Sequence, residues 1–273
     1  MKGKKELSVI TSTSNSTIKF VKNLHQRKHR EREGKFFVEG VKMVQEAIAS
    51  ELKVDCILMS EDSLNDLQGL RREAEQKRIR VLAVSGKVFG EIADTQTPQG
   101  VLAVMVMPEH GLNLLLNREK CLLVVLDCIQ DPGNMGTIIR TMDAAGGDGV
   151  ILLKGCTDPF GMKAVRSTMG SIYRVPVLMV EERQGFFSRL SSSGFHIVAS
   201  HLKGQNIFKW GGGHRKTALV IGNEAHGVAG DIEEFADSLV KIPMVGGAES
   251  LNASVAAGIL IYEIFRKGMN MDE

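Results

Sequence analysis

The sequence predicts an α/β protein in two domains, and three observations carry that reading. Leu122–Leu126 is a short continuous apolar run, the pattern of a strand buried on both faces. A turn-rich cluster (Asp131-Pro132-Gly133-Asn134), a helical apolar spacing (Ile138, Ile139, Met142, Ala145) and a second run (Gly149–Leu153) follow it. Strand and helix patterns alternate on both sides of this unit, and Pro108-Glu109-His110-Gly111 interrupts the alternation once. We therefore place a first domain at 1–107, a linker at 108–119 and a second domain at 120–273.

The elements follow in order. Residues 1–35 hold ten Lys/Arg against three Asp/Glu, a balance of +7, so with +2 overall the remainder sums to −5. The basic residues Lys19, Lys22, Arg27, Lys28, Arg30, Arg32 and Lys35, with His25 and His29, lie on a helix-like segment backed by Ile18, Val21 and Leu24. This is either a solvated face or a phosphate-contacting one, and the sequence leaves the two about even. Strands at 36–39, 56–59, 80–84 and 101–107 alternate with helices at 41–50, 64–77 and 85–92. Beyond Leu153 we expect a helix starting near Pro159, a strand at 175–180, a helix at 185–191 and a strand at 196–200. A loop rich in Gly and Lys around Trp210 leads to strands at 218–221 and 239–242, and a last helix spans about 250–266.

Several function classes are excluded. No strand is followed by G-x-G-x-x-G, and no P-loop, H-E-x-x-H or G-x-S-x-G motif occurs. The uncharged stretch 250–262 is too short and too polar to span a bilayer, and the start lacks the apolar core of a secretory signal. Cys56, Cys121, Cys128 and Cys156 have no CxxC spacing; we read them as reduced thiols of a cytoplasmic protein, with no metal site evident.

Three stretches carry chemistry: Asn134-Met135-Gly136 with Arg140, Leu219–Asn223 ending in Glu224, and Ile242-Pro243-Met244 followed by Ser250-Leu251-Asn252. Each alone has a plain structural reading, such as Asn134 or Ser250 capping a helix. All three fall at the C-terminal ends of expected parallel strands, where α/β sheets gather ligands. Together they resemble the three signature motifs of the SpoU family of RNA ribose 2′-O-methyltransferases, in the SPOUT superfamily. The first motif is matched by Asn134, Gly136 and Arg140, the second by Gly222-Asn223-Glu224, and the third by Ile242-Pro243-Met244 with Ser250–Ser254. Lys163–Val177 resembles the family's intervening stretch, and the match runs over roughly 120–267. Gly34–Ile48 is similar to the L30e-like substrate-binding domain that many members carry.

The resemblance implies a SPOUT domain with a parallel sheet and a deep trefoil knot, beside a smaller N-terminal α/β L30e-like domain. It implies S-adenosyl-L-methionine as methyl donor, held by backbone groups at Gly222, Ile242 and Leu251. It also implies catalytic roles for Arg140, Asn134, Glu224, Ser250 and Asn252. The partners it implies are RNA and a second copy of the chain in a homodimer, with no membrane. Ribosomal RNA, of the 23S class, is the favoured substrate. Transfer RNA, a base as methyl acceptor and a catalytically silent RNA-binding module are the alternatives.

Overall fold

A two-residue strand, β1 (Val9–Ile10), opens the described part of this computed structural model, which covers residues 8–223 and 227–269. The chain divides into two compact units. One runs through Pro108 and includes Phe160–Arg166; the other comprises Glu109–Pro159 and the residues from Ser167 onward.

In the first unit, α1 (Ser16–Asn23) and α2 (Arg27–Glu33) replace the single leading helix expected. Gly34, with φ of 59°, ends α2 and turns the chain into β2 (Lys35–Glu39). Then come α3 (Val41–Ala49), β3 (Val54–Ser60), α4 (Gln68–Gln76), β4 (Arg80–Val84), α5 (Gly86–Ile92) and β5 (Val101–Val106). The strands form one mixed sheet, ordered β1-β4-β3-β5-β2, in which β5 runs antiparallel to both neighbours. Ile18, Val21 and Leu24 seal one face by packing on Phe37, Leu58, Val88 and Phe89.

The basic face of this unit is largely occupied. Lys22 pairs with Glu91 at 2.9 Å, Arg27 with Glu31 at 2.7 Å, Arg32 with Glu33 at 2.8 Å and Lys35 with Asp55 at 3.0 Å. Arg30 is buried and donates to the carbonyls of Leu24 and His25. Of the seven basic residues, Lys19 and Lys28 are exposed with no partner among the described residues.

The second unit opens with α6 (Leu112–Leu116) and β6 (Cys121–Leu126). Asp131 caps α7 (Pro132–Ala144) by accepting from the Asn134 amide at 2.8 Å, and Pro132 takes the first helical position. Asn134 is thus inside the first turn and is not the cap. After β7 (Gly149–Leu153) comes α8 (Met162–Thr168), which belongs to the first unit as far as Arg166, and then β8 (Val177–Val180), α9 (Arg183–Ser192), β9 (His196–Asn206) and β10 (Lys216–Ile221). The chain then forms α10 (Gly230–Glu233), β11 (Ser238–Lys241) and α11 (Ala253–Met269). The six strands are all parallel, in the order β11-β9-β10-β6-β7-β8.

Two elements differ from expectation for identifiable reasons. Strand β9 runs six residues past Ser200, because β11 recruits Gln205 and Asn206 as partners of Val240 and Lys241. The register shift between Leu239 and Val240 leaves Ser200–Gly204 unmatched, so that stretch bows out of the ladder. The last helix starts at Ala253 because Asn252 caps it, its Oδ1 accepting from Ser254 N at 3.0 Å. Its buried stripe (Ala253, Ala257, Leu260, Ile261, Ile264) faces inward, and the helix packs on α7 and β10.

Within this unit Asp143 ties α7 to the turn after α8, accepting from Ser171 Oγ at 2.8 Å and Arg174 Nη2 at 2.7 Å. Burial pushes its pKa up, but the bonds from Arg174 and Ser171 outweigh that and hold the carboxyl below its ordinary value. Its contribution to stability is therefore present above the usual carboxylate pKa and lost as pH falls through the depressed one. We expect Asp143→Asn to lower unfolding free energy by about 1 kcal/mol at pH 7. The difference from the unsubstituted chain should vanish in strong acid, as read by urea denaturation across pH.

Candidate active site

Parallel pairing brings the loop after β6 and the loop after β10 to the same edge of the sheet. The ladder extends one step past both strands, with Asp127 N donating to Ile221 O at 2.9 Å. Beyond it, Gly222 runs so close to the next loop that a Cβ there would fall on the carbonyl group of Gly227 and the nitrogen of Val228. Only glycine fits that approach. Asn223 and Gly227 then exchange backbone bonds of 3.1 and 2.8 Å.

A cavity of about 420 Å³ opens at this edge. Its lining brings together Gly222, Asn223 and Gly227, then Ile242 with Ser250 and Leu251, and the bowed Ser200–Leu202 stretch, with Lys241, Met244 and Glu249 beside them. Thus the three expected donor-binding positions, Gly222, Ile242 and Leu251, share one cavity with Ser250. Asn134 and Asn252 also meet, Asn252 Nδ2 donating to Asn134 Oδ1 at 2.9 Å across 118 residues of sequence. Arg140 stands on the exposed strip of α7 with Thr137 and Ala144. It is not among the residues lining the cavity and has no hydrogen-bond or ion-pair partner among the described residues. Glu224 lies outside the described residues. A second cavity, of about 310 Å³, sits at the opposite end of the strands, by Cys121 and Thr217, and none of the expected residues line it.

Sequence reasoning missed two contributors. Asp127, the last residue before the loop after β6, is 2% exposed. It accepts from Ala229 N at 2.9 Å and pairs with Arg183 at 3.3 Å. An acid directly after a buried apolar run is a signal that reading could have used; Arg183 gives none, since its partner is 56 residues away. The stretch Ser200–Leu202 was unreadable because the bow depends on β11. All four cysteines are free thiols; burial, helped by the charge of Asp127, raises the Cys128 thiol, and burial pushes Cys156 up to about 11.

This fold and this cavity define a class with solved members. The AdoMet-bound rRNA methyltransferase from Sinorhizobium meliloti superposes with a TM-score of 0.85 at 32% identity, over 95% of this chain and 98% of that one. The SpoU methyltransferase AviRb from Streptomyces viridochromogenes, in complex with AdoMet, gives 0.84 at 30% identity, over 93% and 98%.

The chain belongs to the SpoU rRNA Methylase family, whose model matches residues 121–262, and an MRM3-like substrate binding domain matches residues 15–103. Among its relatives is RlmP of Bacillus subtilis, a 23S rRNA (guanosine(2553)-2′-O)-methyltransferase. The two are 35% identical over 257 residues, 93% of this chain and 98% of that protein.

The glycines of this edge are not equivalent. Gly246 and Gly247 have open space around them and no left-handed φ. Gly222→Ala is expected to cost about 1–3 kcal/mol through overpacking and to weaken S-adenosylmethionine binding in calorimetry. Gly246→Ala should stay within about 0.5 kcal/mol of the unsubstituted chain.

Proposed function

We propose that this chain methylates a ribose 2′-hydroxyl of 23S ribosomal RNA, using S-adenosyl-L-methionine as donor. The observation that carries the reading is the cavity lined by Gly222, Ile242 and Leu251, in the same unit as the Asn134–Asn252 pair. The cavity's size is that of small-molecule sites, and its donor set fits the methyl donor. Backbone amides and carbonyls can take the polar edges of an adenosine, and Ile242 and Leu251 its apolar faces. Bound there, the donor supplies an electrophilic methyl group on a sulfonium.

The chain's own residues have to position a weak nucleophile and favour its alkoxide. Arg140 is the residue for the second task. A guanidinium with a pKa above roughly 12 does not serve as a base at neutral pH, so Arg140 acts by stabilising negative charge developing on the 2′-oxygen. The Asn134–Asn252 bond fixes both amides, and Asn134 so placed orients ribose or phosphate. Ser250, exposed at the mouth, offers a hydroxyl to the same group. The first unit receives the RNA, with Lys19 and Lys28 as cations on the leading helices that have no partner among the described residues. Among the described residues no helix is long and apolar enough to cross a membrane, and a ribosomal substrate places the chain in the cytoplasm.

Two further parts of the reading concern assembly and topology. The chain acts as a homodimer through α11, whose outward side carries Val255, Tyr262 and Phe265 at 50%, 47% and 38% exposure. Three large apolar groups along one side of a helix favour a self-complementary contact. The chain also forms a deep trefoil knot. In support, it leaves β11 at the sheet's outer edge and returns as α11 to pack on α7 and β10 near the middle.

The test is mass mapping of 2′-O-methyl groups on RNA incubated with the chain and labelled donor. One labelled ribose in 23S RNA is expected, with the rate falling at least about 100-fold in Arg140→Ala while donor affinity is kept. Label confined to transfer RNA would move the substrate and keep the chemistry. No label from a folded, donor-binding chain would leave an RNA-binding module. Tyr262→Asp should convert the dimer to a monomer in sedimentation velocity.

A further inference from the structure

Gly222, Asn223 and Gly227 contribute to the lining of the cavity, and what fixes their backbone lies outside it. The two flanks of Gly227 are fastened to two adjacent residues just after β6, one flank to each. On one flank Asn223 donates its side-chain amide to the carbonyl of Cys128 at 3.0 Å. On the other, the Ala229 amide donates to Asp127 Oδ2 at 2.9 Å. Asp127 Oδ1 faces Arg183 Nη2 at 3.3 Å, and Arg183 Nη1 donates to Asp231 at 2.7 Å. Cys128 itself has φ of 56°, a left-handed conformation that a residue with a side chain rarely adopts. Such backbone persists only where surrounding bonds over-determine it, and here the Asn223 amide supplies one of them.

We infer that Asp127, with Arg183, is a positioning residue that clasps the Gly227–Ala229 stretch and thereby sets affinity for the methyl donor. It does not touch the donor cavity, and it acts through the backbone it holds. The inference rests on the reading of that cavity as the donor site. Asp127 is buried, and its two oxygens serve two different donors, an amide and a guanidinium. An asparagine offers one acceptor oxygen and cannot satisfy both, so the substitution frees either the Ala229 amide or Arg183. A clasp that governs donor binding alone predicts a split: affinity for the donor falls, while turnover at saturating donor and KM for RNA stay unchanged.

The experiment is calorimetric titration of the full chain with S-adenosylmethionine, paired with steady-state methylation. Asp127→Asn should weaken binding about tenfold, the scale of one lost charge-assisted bond, with kcat within about twofold. Adding Arg183→Gln, which restores a neutral donor–acceptor pair, should recover most of the loss. If Asp127→Asn does not fold, Arg183→Lys takes its place, since a single ammonium lacks the guanidinium fork that reaches Asp231 and Asp127 through separate nitrogens; a loss of at least about threefold is then expected. A folded Asp127→Asn chain that binds like the unsubstituted one, or a fall in kcat with affinity intact, would overturn the inference. Gly222→Val separates the two readings. If the unsubstituted chain binds the donor and Gly222→Val abolishes binding, the cavity assignment stands and any failure belongs to the clasp. If the unsubstituted chain does not bind the donor, both fall together.

Discussion

Six successive parallel pairs, from Lys216 on Cys121 to Ile221 on Leu126, hold β10 against β6 in the centre of the sheet. The site depends on this register. A slip of one residue would exchange the two packed faces of the slipped strand, and it would move Gly222 away from the backbone of Gly227 and Val228. The pairing is supported by near-total burial: Leu123–Leu126 and Ala218–Ile221 are apolar and inaccessible, which selects for strands covered on both sides. Helices α7 and α11 supply part of that cover. Both carry residues of the candidate site at or within their first turns, so the packing that buries the sheet also sets Asn134 against Asn252.

Local pattern made much of this legible. The apolar run at 122–126, the helical stripe of Ile138, Ile139 and Met142, and the glycine after Ile221 each report a constraint satisfied within a few residues. Family resemblance then joined three distant stretches, and Gly222, Ile242, Ser250 and Leu251 do share one cavity. What stayed hidden depends on partners far away in sequence. The bow at Ser200–Gly204 exists because β11 pairs with residues on either side of it, and no property of that stretch alone announces it. The start of α11 was misplaced by three residues because Ser250 and Asn252 are both good caps, and only geometry shows which one bonds the helix amides. The leading basic segment illustrates the opposite case: its charge was plain, but its neutralisation by Glu91 and Asp55, brought in by tertiary folding, was not.

The two kinds of ligand proposed for this chain respond differently to salt. The cavity assigned to the donor is lined by Gly222, Ile242 and Leu251, with Lys241 and Glu249, one cation and one anion, also on its lining. Ionic strength acts weakly on the uncharged contacts, whereas phosphate binding weakens steeply with salt. The buried charge nearby, Asp127, is matched by Arg183 and the Ala229 amide, which is the condition under which a buried carboxylate is tolerated.

The bond between Asn134 and Asn252 also has a consequence in time. The two residues are separated by 118 positions, so at typical elongation rates roughly 10 s pass on the ribosome between their syntheses. During that interval β6 and α7 exist without the helix that covers them, and Asn134 has no Asn252 to receive a bond from. The Asn134–Asn252 bond arrives only with the closing helix, after all six strands of the sheet have been made.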